Sequence, residues 1–321
     1  MKRFRWLILT ILIIPIILLT GCLPGESYDS NVRIIDSTGT ANGIDETGNA
    51  LNVYVDGGST LPVSIDGAIA YEGSVPVIPY YNMIAQEQVA GHTAWSKTGF
   101  NPNVGTSMET VWSYSTQYVY PIAAMQMEVV SSDNTQDLPG GSGALTVTIV
   151  YLDGSYVEHS EVVTLNGTTP VLTAHTDIFR VNGFRCTTVG GNGTPVGNIT
   201  LRGAGGGTVY SYMLAGYTRA RNIVYTVPEG KDLYITSVLW SCADATKGVR
   251  FINQANFDDL TGAPRSFFLP YGEATLYNTA IVRPLELPTK FPEHTDVKIS
   301  VISTQAGAIT DVSLRGWLEN N

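Results

Sequence analysis

Four histidines, His92, His159, His175 and His294, come first in a search for chemistry, because imidazole is the side chain that exchanges protons near neutral pH. They are scattered along the chain with no GxSxG elbow to accompany them. His159 lies between Glu158 and Ser160, and strand alternation sends such neighbours to the opposite face. The nearest pairs for carboxylate chemistry are Asp258 with Asp259 and Glu293 with Asp296, and surface acids are ordinary in a chain with 28 Asp and Glu. The expectation is therefore no catalytic residue and no enzyme. Asp133, Asn134, Gln136 and Asp137 put several hard oxygens close together, which would suit calcium, but a polar loop explains them as well. CxxC and HxxxH spacings are absent from the sequence, so neither a metal nor another cofactor is expected. The run from Gly203 through Ala204 to Gly207 has the glycine content of a phosphate loop. It lacks a following Lys-Ser or Lys-Thr and opens no helix, so it reads as a flexible corner between strands.

Three further sets of side chains invite a functional reading. Cys186 and Cys242 would either form a disulfide in an exported protein or stay as buried thiols. Tyr114, Tyr118 and Tyr120 would share one face of an expected strand, with Tyr210 and Tyr212 on another. Tyr118 and Tyr210 are the rings a glycan-stacking platform would use, although aromatic residues are also common strand formers. At the N-terminus, Lys2, Arg3 and Arg5 precede an apolar run over 6–19, which has the length and position of a signal peptide. Leu19-Thr20-Gly21-Cys22 follows it and resembles the bacterial lipobox, which implies lipidation at Cys22 and a membrane partner reached through the N-terminus. An uncleaved signal anchor is the alternative.

Composition sets the class of scaffold that would hold these residues. Hydrophobic residues make up 44% of the chain and charged residues only 14%, while 33 glycines and 17 tyrosines favour turns and strands. The formal charge of -10 argues against a nucleic-acid partner, which would call for clustered Lys and Arg. The organisation expected is a signal peptide or anchor over 1–21, a tether with extended strand-forming arms over 22–105, and β-sandwich domains over 106–220 and 221–321. The arms rest on short apolar segments closed by Gly and Asp within 31–58. The one helical candidate spans 83–88.

The clearest hairpin runs over 145–151, turns at Asp153-Gly154 and returns over 156–165. Asn166-Gly167 marks another turn, and extended segments follow over 171–181, 184–189, 196–201 and 208–214. In the last third, 223–227 leads through Pro228-Glu229-Gly230-Lys231 into 233–240, and alternation marks 297–302 and 312–317. The fold expected is all-β, with two tandem antiparallel sandwiches of jelly-roll type.

The segments from Thr98-Gly99-Phe100-Asn101-Pro102 to Trp112, from Gly143 to Ile149, from Val162 to Pro170, from Phe179 to Asn182 and from Val196 to Thr200 stand out together. They resemble a family of virion structural proteins from environmental, chiefly aquatic, bacteriophages. Tyr225-Thr226-Val227-Pro228-Glu229-Gly230-Lys231 and Phe291-Pro292-Glu293-His294-Thr295-Asp296 extend the resemblance into the last third. It implies a place in the particle, with the protein itself or other virion proteins as partners, and no catalytic residues. The lipobox departs from the pattern of a tailed-phage component and points to a second reading, a surface lipoprotein that binds a glycan or a protein. The corresponding locations are the virion or an extracytoplasmic membrane face.

Overall fold

The computed structural model describes residues 80–257 and 264–321, together with four two-residue strands nearer the N-terminus. Those four are β1 (Ile34–Ile35), β2 (Ala41–Asn42), β3 (Tyr54–Val55) and β4 (Ser59–Thr60), paired antiparallel as β1 with β2 and β3 with β4. Cys22, Asp258, Asp259 and the signal segment lie outside the described residues. The chain divides into two compact units, 1–76 and 77–321.

The second unit opens with helix α1 (Tyr80–Ala85), which starts three residues before the expected helix at 83–88. Strands β5 (His92–Val104) and β6 (Glu109–Thr110) follow. Then come β7 (Met127–Ser131), β8 (Ala144–Leu152), β9 (Glu158–Thr164), β10 (Val171–Leu172), β11 (Arg180–Val189), β12 (Ile199–Gly203) and β13 (Val209–Met213). The last group is β14 (Tyr225–Thr226), β15 (Lys231–Cys242), β16 (Val249–Phe257), β17 (Pro264–Leu276), β18 (Thr279–Phe291), β19 (Asp296–Ser303) and β20 (Ala308–Asn320). All of the strand pairings are antiparallel, so the fold is all-β.

Two hydrophobic cores account for these sheets. In the first sandwich, the sheet β10-β7-β12-β13 faces the sheet β11-β8-β9 across Met127, Val147, Ile149, Tyr151, Phe184 and Leu201. The period-2 pattern of β8 explains the packing, because Val147, Ile149 and Tyr151 alternate into the core from one face. The second core lies between the sheet β14-β19-β16-β17, with β6 added beside β19, and the sheet β18-β15-β20-β5. Trp240, Phe251, Phe291 and Leu314 fill it.

Chain order and sandwich membership differ at one point. β5 pairs with β20 over almost its whole length, from His92 opposite Glu319 to Val104 opposite Ala308, although sequence pattern assigns 22–105 to a tether and arms. β6 likewise pairs with β19. The first sandwich is thus threaded into the second between β6 and β14. Gly99 permits the close seating of β5: a Cβ there would stand 2.8 Å from the Ile223 Cβ and 2.9 Å from the Val312 Cγ2.

Several outer strands carry the features that discourage open-ended sheet addition. β9, at the edge of the β11-β8-β9 sheet, bears Glu158, His159 and Glu161. β18 carries Pro284 and Pro288 and is bulged between them: Ser237 pairs with Pro284 and Ile235 with Thr289, so one residue of β15 faces four of β18.

Candidate functional site at the junction of the sandwiches

The junction is built from polar residues carried by strands of both sandwiches. Arg180 opens β11, Thr226 ends β14 and Asp296 opens β19. The Arg180 guanidinium donates from Nε to Asp296 Oδ1 at 3.0 Å and from Nη2 to Oδ2 at 3.3 Å. Its Nη1 reaches the Pro121 carbonyl at 2.8 Å. Asp296 also accepts from the Thr226 hydroxyl and from Asn256 Nδ2, and its backbone N–H donates to Asn256 Oδ1 at 2.7 Å. Both partners are deeply buried, with side chains 10% and 7% accessible, so each charge depends on the other for its compensation. Asn182 adds a reciprocal pair: its Nδ2 donates to the Thr226 carbonyl at 2.8 Å and its Oδ1 accepts from the Thr226 N–H at 2.9 Å. The Lys97 ammonium donates to the Asn182 carbonyl. Burial, with the Arg219 charge adding to it, pulls Lys97 down to about 7.

Aromatic side chains close the junction. Trp112, Tyr118 and Val224 form a small buried cluster, with Tyr114, Tyr120 and Val209 packed against it. Trp112 meets Tyr118 edge-on at 5.2 Å, and Tyr118 meets Tyr120 at 5.0 Å. The strand expected to carry Tyr114, Tyr118 and Tyr120 is not formed; they lie on an irregular loop after β6. That loop is held by the Trp112 indole N–H, which donates to the Thr116 carbonyl at 2.7 Å.

The residues singled out by sequence are mostly committed to structure. Tyr118 and Tyr210 retain only 4% and 6% of their surface, whereas a sugar-stacking ring needs an open face. Burial raises the Tyr118 phenol well above its ordinary range, with the nearby Arg180 charge opposing. Cys186 and Cys242 are both free thiols and belong to different sandwiches, so the disulfide expected as one alternative is not formed. Burial pushes the Cys186 thiol up to about 11, which suppresses its thiolate.

The calcium-like loop satisfies itself. Asp133 Oδ1 accepts from the backbone N–H groups of Thr135, Gln136 and Asp137, and these bonds, that of Gln136 foremost, hold its carboxyl below the usual range. Asp137 is fully buried and takes four donors. Oδ1 accepts from Ala144 N at 2.8 Å and Val196 N at 3.0 Å, and Oδ2 from Ser131 Oγ at 2.6 Å and Gly197 N at 2.8 Å.

The glycine corner also has an anion, supplied by its own chain. Gly205 and Gly206, both at positive φ, donate their N–H groups to the Glu128 carboxylate at 2.9 and 3.0 Å, and Arg202 Nε joins them at 2.7 Å. Burial works against the Glu128 charge, but the Gly205, Arg202 and Gly206 bonds prevail and lower its pKa. Local pattern over 203–207 carries no sign of this partner, because Glu128 sits 77 residues from Gly205.

Each histidine stands beside a carboxylate, His92 with Glu319, His159 with Asp153, His175 with Asp177 and His294 with Glu229. The Tyr80 hydroxyl lies 2.9 Å from His92 Nε2. Glu293 and Asp296 are each engaged elsewhere, with Gly230 N and with Arg180.

No family model matches the chain, and no curated protein matches it. Among solved structures, likenesses extend to infectious bursal disease virus, Gx strain, at 11% identity and a TM-score of 0.19, covering 75% of this chain and 76% of that one. The VP2 subviral particle of the same virus gives 12% identity and a TM-score of 0.17, over 76% and 83% of the two chains. The T=1 particle derived from that virus gives 9% identity and 0.17, over 76% and 80%. Values this low establish no shared fold.

Proposed function

We propose that the protein is a non-enzymatic structural component of a virion, a jelly-roll capsid, vertex or decoration protein that acts by assembly with itself or other virion proteins. The observation that carries this reading is β18. Its edge is blunted by prolines and a bulge, yet it presents large apolar side chains: Leu287 is 84% exposed at the bulge, with Val282 and Ile281 farther along the strand. Such a surface suits side-chain contact with a specific neighbour better than uncontrolled strand addition. Ile122, 97% exposed on the loop after β6, is a second apolar point. The segment resemblances to phage structural proteins support the same reading.

The arms within 31–58 would extend assembly by adding strands to a neighbour, since exposed strand-forming segments gain backbone hydrogen bonds that way. Mass spectrometry of density-purified particles and of washed membranes from one culture tests the assignment. Enrichment in particles at a stoichiometry near that of the major capsid protein is expected. Enrichment in membranes with diacylated Cys22 would overturn it in favour of a surface lipoprotein, the reading that the lipobox at 19–22 supports.

A further inference from the structure

Two turns of the second sandwich meet beside the first. Pro228 to Lys231 leads into β15, and Pro292 to Thr295 leads into β19; between them they bring together Glu229, Glu293 and His294. One possible ligand atom from each of the three lies within 4.8 Å of the others. We propose that these residues form a divalent-metal site of zinc type, independent of the protein's place in a particle.

The geometry supports it in three ways. The imidazole is positioned before any ion arrives, because its ring stacks on Tyr156 at 4.2 Å and its backbone N–H donates to the Val227 carbonyl at 2.8 Å. The carboxylates already converge on the imidazole: Glu229 Oε2 pairs with His294 Nε2, and an ion would replace that contact. The Glu229 N–H donates to the Tyr156 carbonyl at 3.0 Å, while Glu293 Oε2 accepts from Gly230 N at 2.7 Å and Asn321 Nδ2 at 3.3 Å. The donor set of one nitrogen and two carboxylates fits a borderline cation better than calcium, which prefers an all-oxygen shell of six or more ligands. Water would complete a four-coordinate shell. The two turns would then be clamped to each other and to Tyr156 of the first sandwich.

The test is titration calorimetry on the full chain after chelator treatment, with zinc chloride and calcium chloride as probes. One zinc per chain is expected, with a Kd on the order of 1 µM or tighter. Glu293→Gln keeps an acceptor for the Gly230 N–H, and His294→Gly suits the positive φ at that residue; each should weaken zinc binding by about tenfold or more. Circular dichroism of both variants establishes that they fold. The proposal fails if the wild type shows no saturable zinc binding, if calcium binds as tightly as zinc, or if the folded variants bind zinc as well as the wild type does.

Discussion

Replacing Arg180 with Met should cost about 3–5 kcal/mol, because it leaves the Asp296 carboxylate buried without its counter-charge. The estimate rests on the burial of both side chains and on the two parallel N–H to O contacts between them. Asp296 would keep the Thr226 hydroxyl and Asn256 Nδ2, which soften the loss but supply no positive charge. Adding Asp296→Asn to the Arg180→Met background removes the stranded charge, so the double variant should lose less than the sum of the single losses. An interaction energy of about 2 kcal/mol or more is expected. Urea unfolding provides the assay with two separate probes. Every tryptophan in the described residues, Trp95, Trp112, Trp240 and Trp317, belongs to the second sandwich or the junction, and none lies in the first sandwich. Tryptophan fluorescence therefore follows the second sandwich and the junction, while circular dichroism follows both. The two transitions should coincide in the wild type and separate in Arg180→Met. A shift below about 1 kcal/mol in the single variant, or losses that simply add in the double variant, would refute the reasoning.

Lys97→Met should stabilise the protein at neutral pH. Folding lowers the Lys97 pKa from 10.5 to about 7, so the unfolded chain binds more protons between those values and wild-type stability rises with pH across that window. The advantage of Lys97→Met in urea midpoint should accordingly shrink from pH 7 toward pH 10. Glu128 is shifted the other way: its contribution is full above the ordinary value of 4.5 and is lost as pH falls through the lowered folded value. Glu128→Gln should thus be less stable than wild type at pH 7 and converge on it in acid. Asp137→Asn replaces one acceptor oxygen with an amide that faces existing donors, and should cost about 2–4 kcal/mol in thermal or urea unfolding. Leu287→Asp should leave stability within about 0.5 kcal/mol while abolishing particle incorporation, measured by gradient sedimentation.

The limits of local pattern show most clearly in β17 and β18. Their prolines are turn signals in sequence, but in the structure they sit in a strand beside β16 and in an edge strand beside β15, and β18 absorbs its irregularity in a bulge. The loop after β6 shows the converse: the spacing of Tyr114, Tyr118 and Tyr120 suggested a strand, yet aromatic packing and the Trp112 to Thr116 bond hold an irregular path.

The all-β character and much of the local hairpin order are written in short-range pattern. Alternation over 145–151 with Asp153-Gly154 encodes the β8-β9 pair, and Asn166-Gly167 encodes a turn with Gly167 at positive φ, because periodicity and turn chemistry act over a few residues. Long-range packing sets β5 beside β20, Glu128 in the glycine corner and Arg180 against Asp296. Those partners lie 74 or more residues apart at the Glu128 and Arg180 contacts, and burial and charge compensation, which select them, exist only once the sheets have packed.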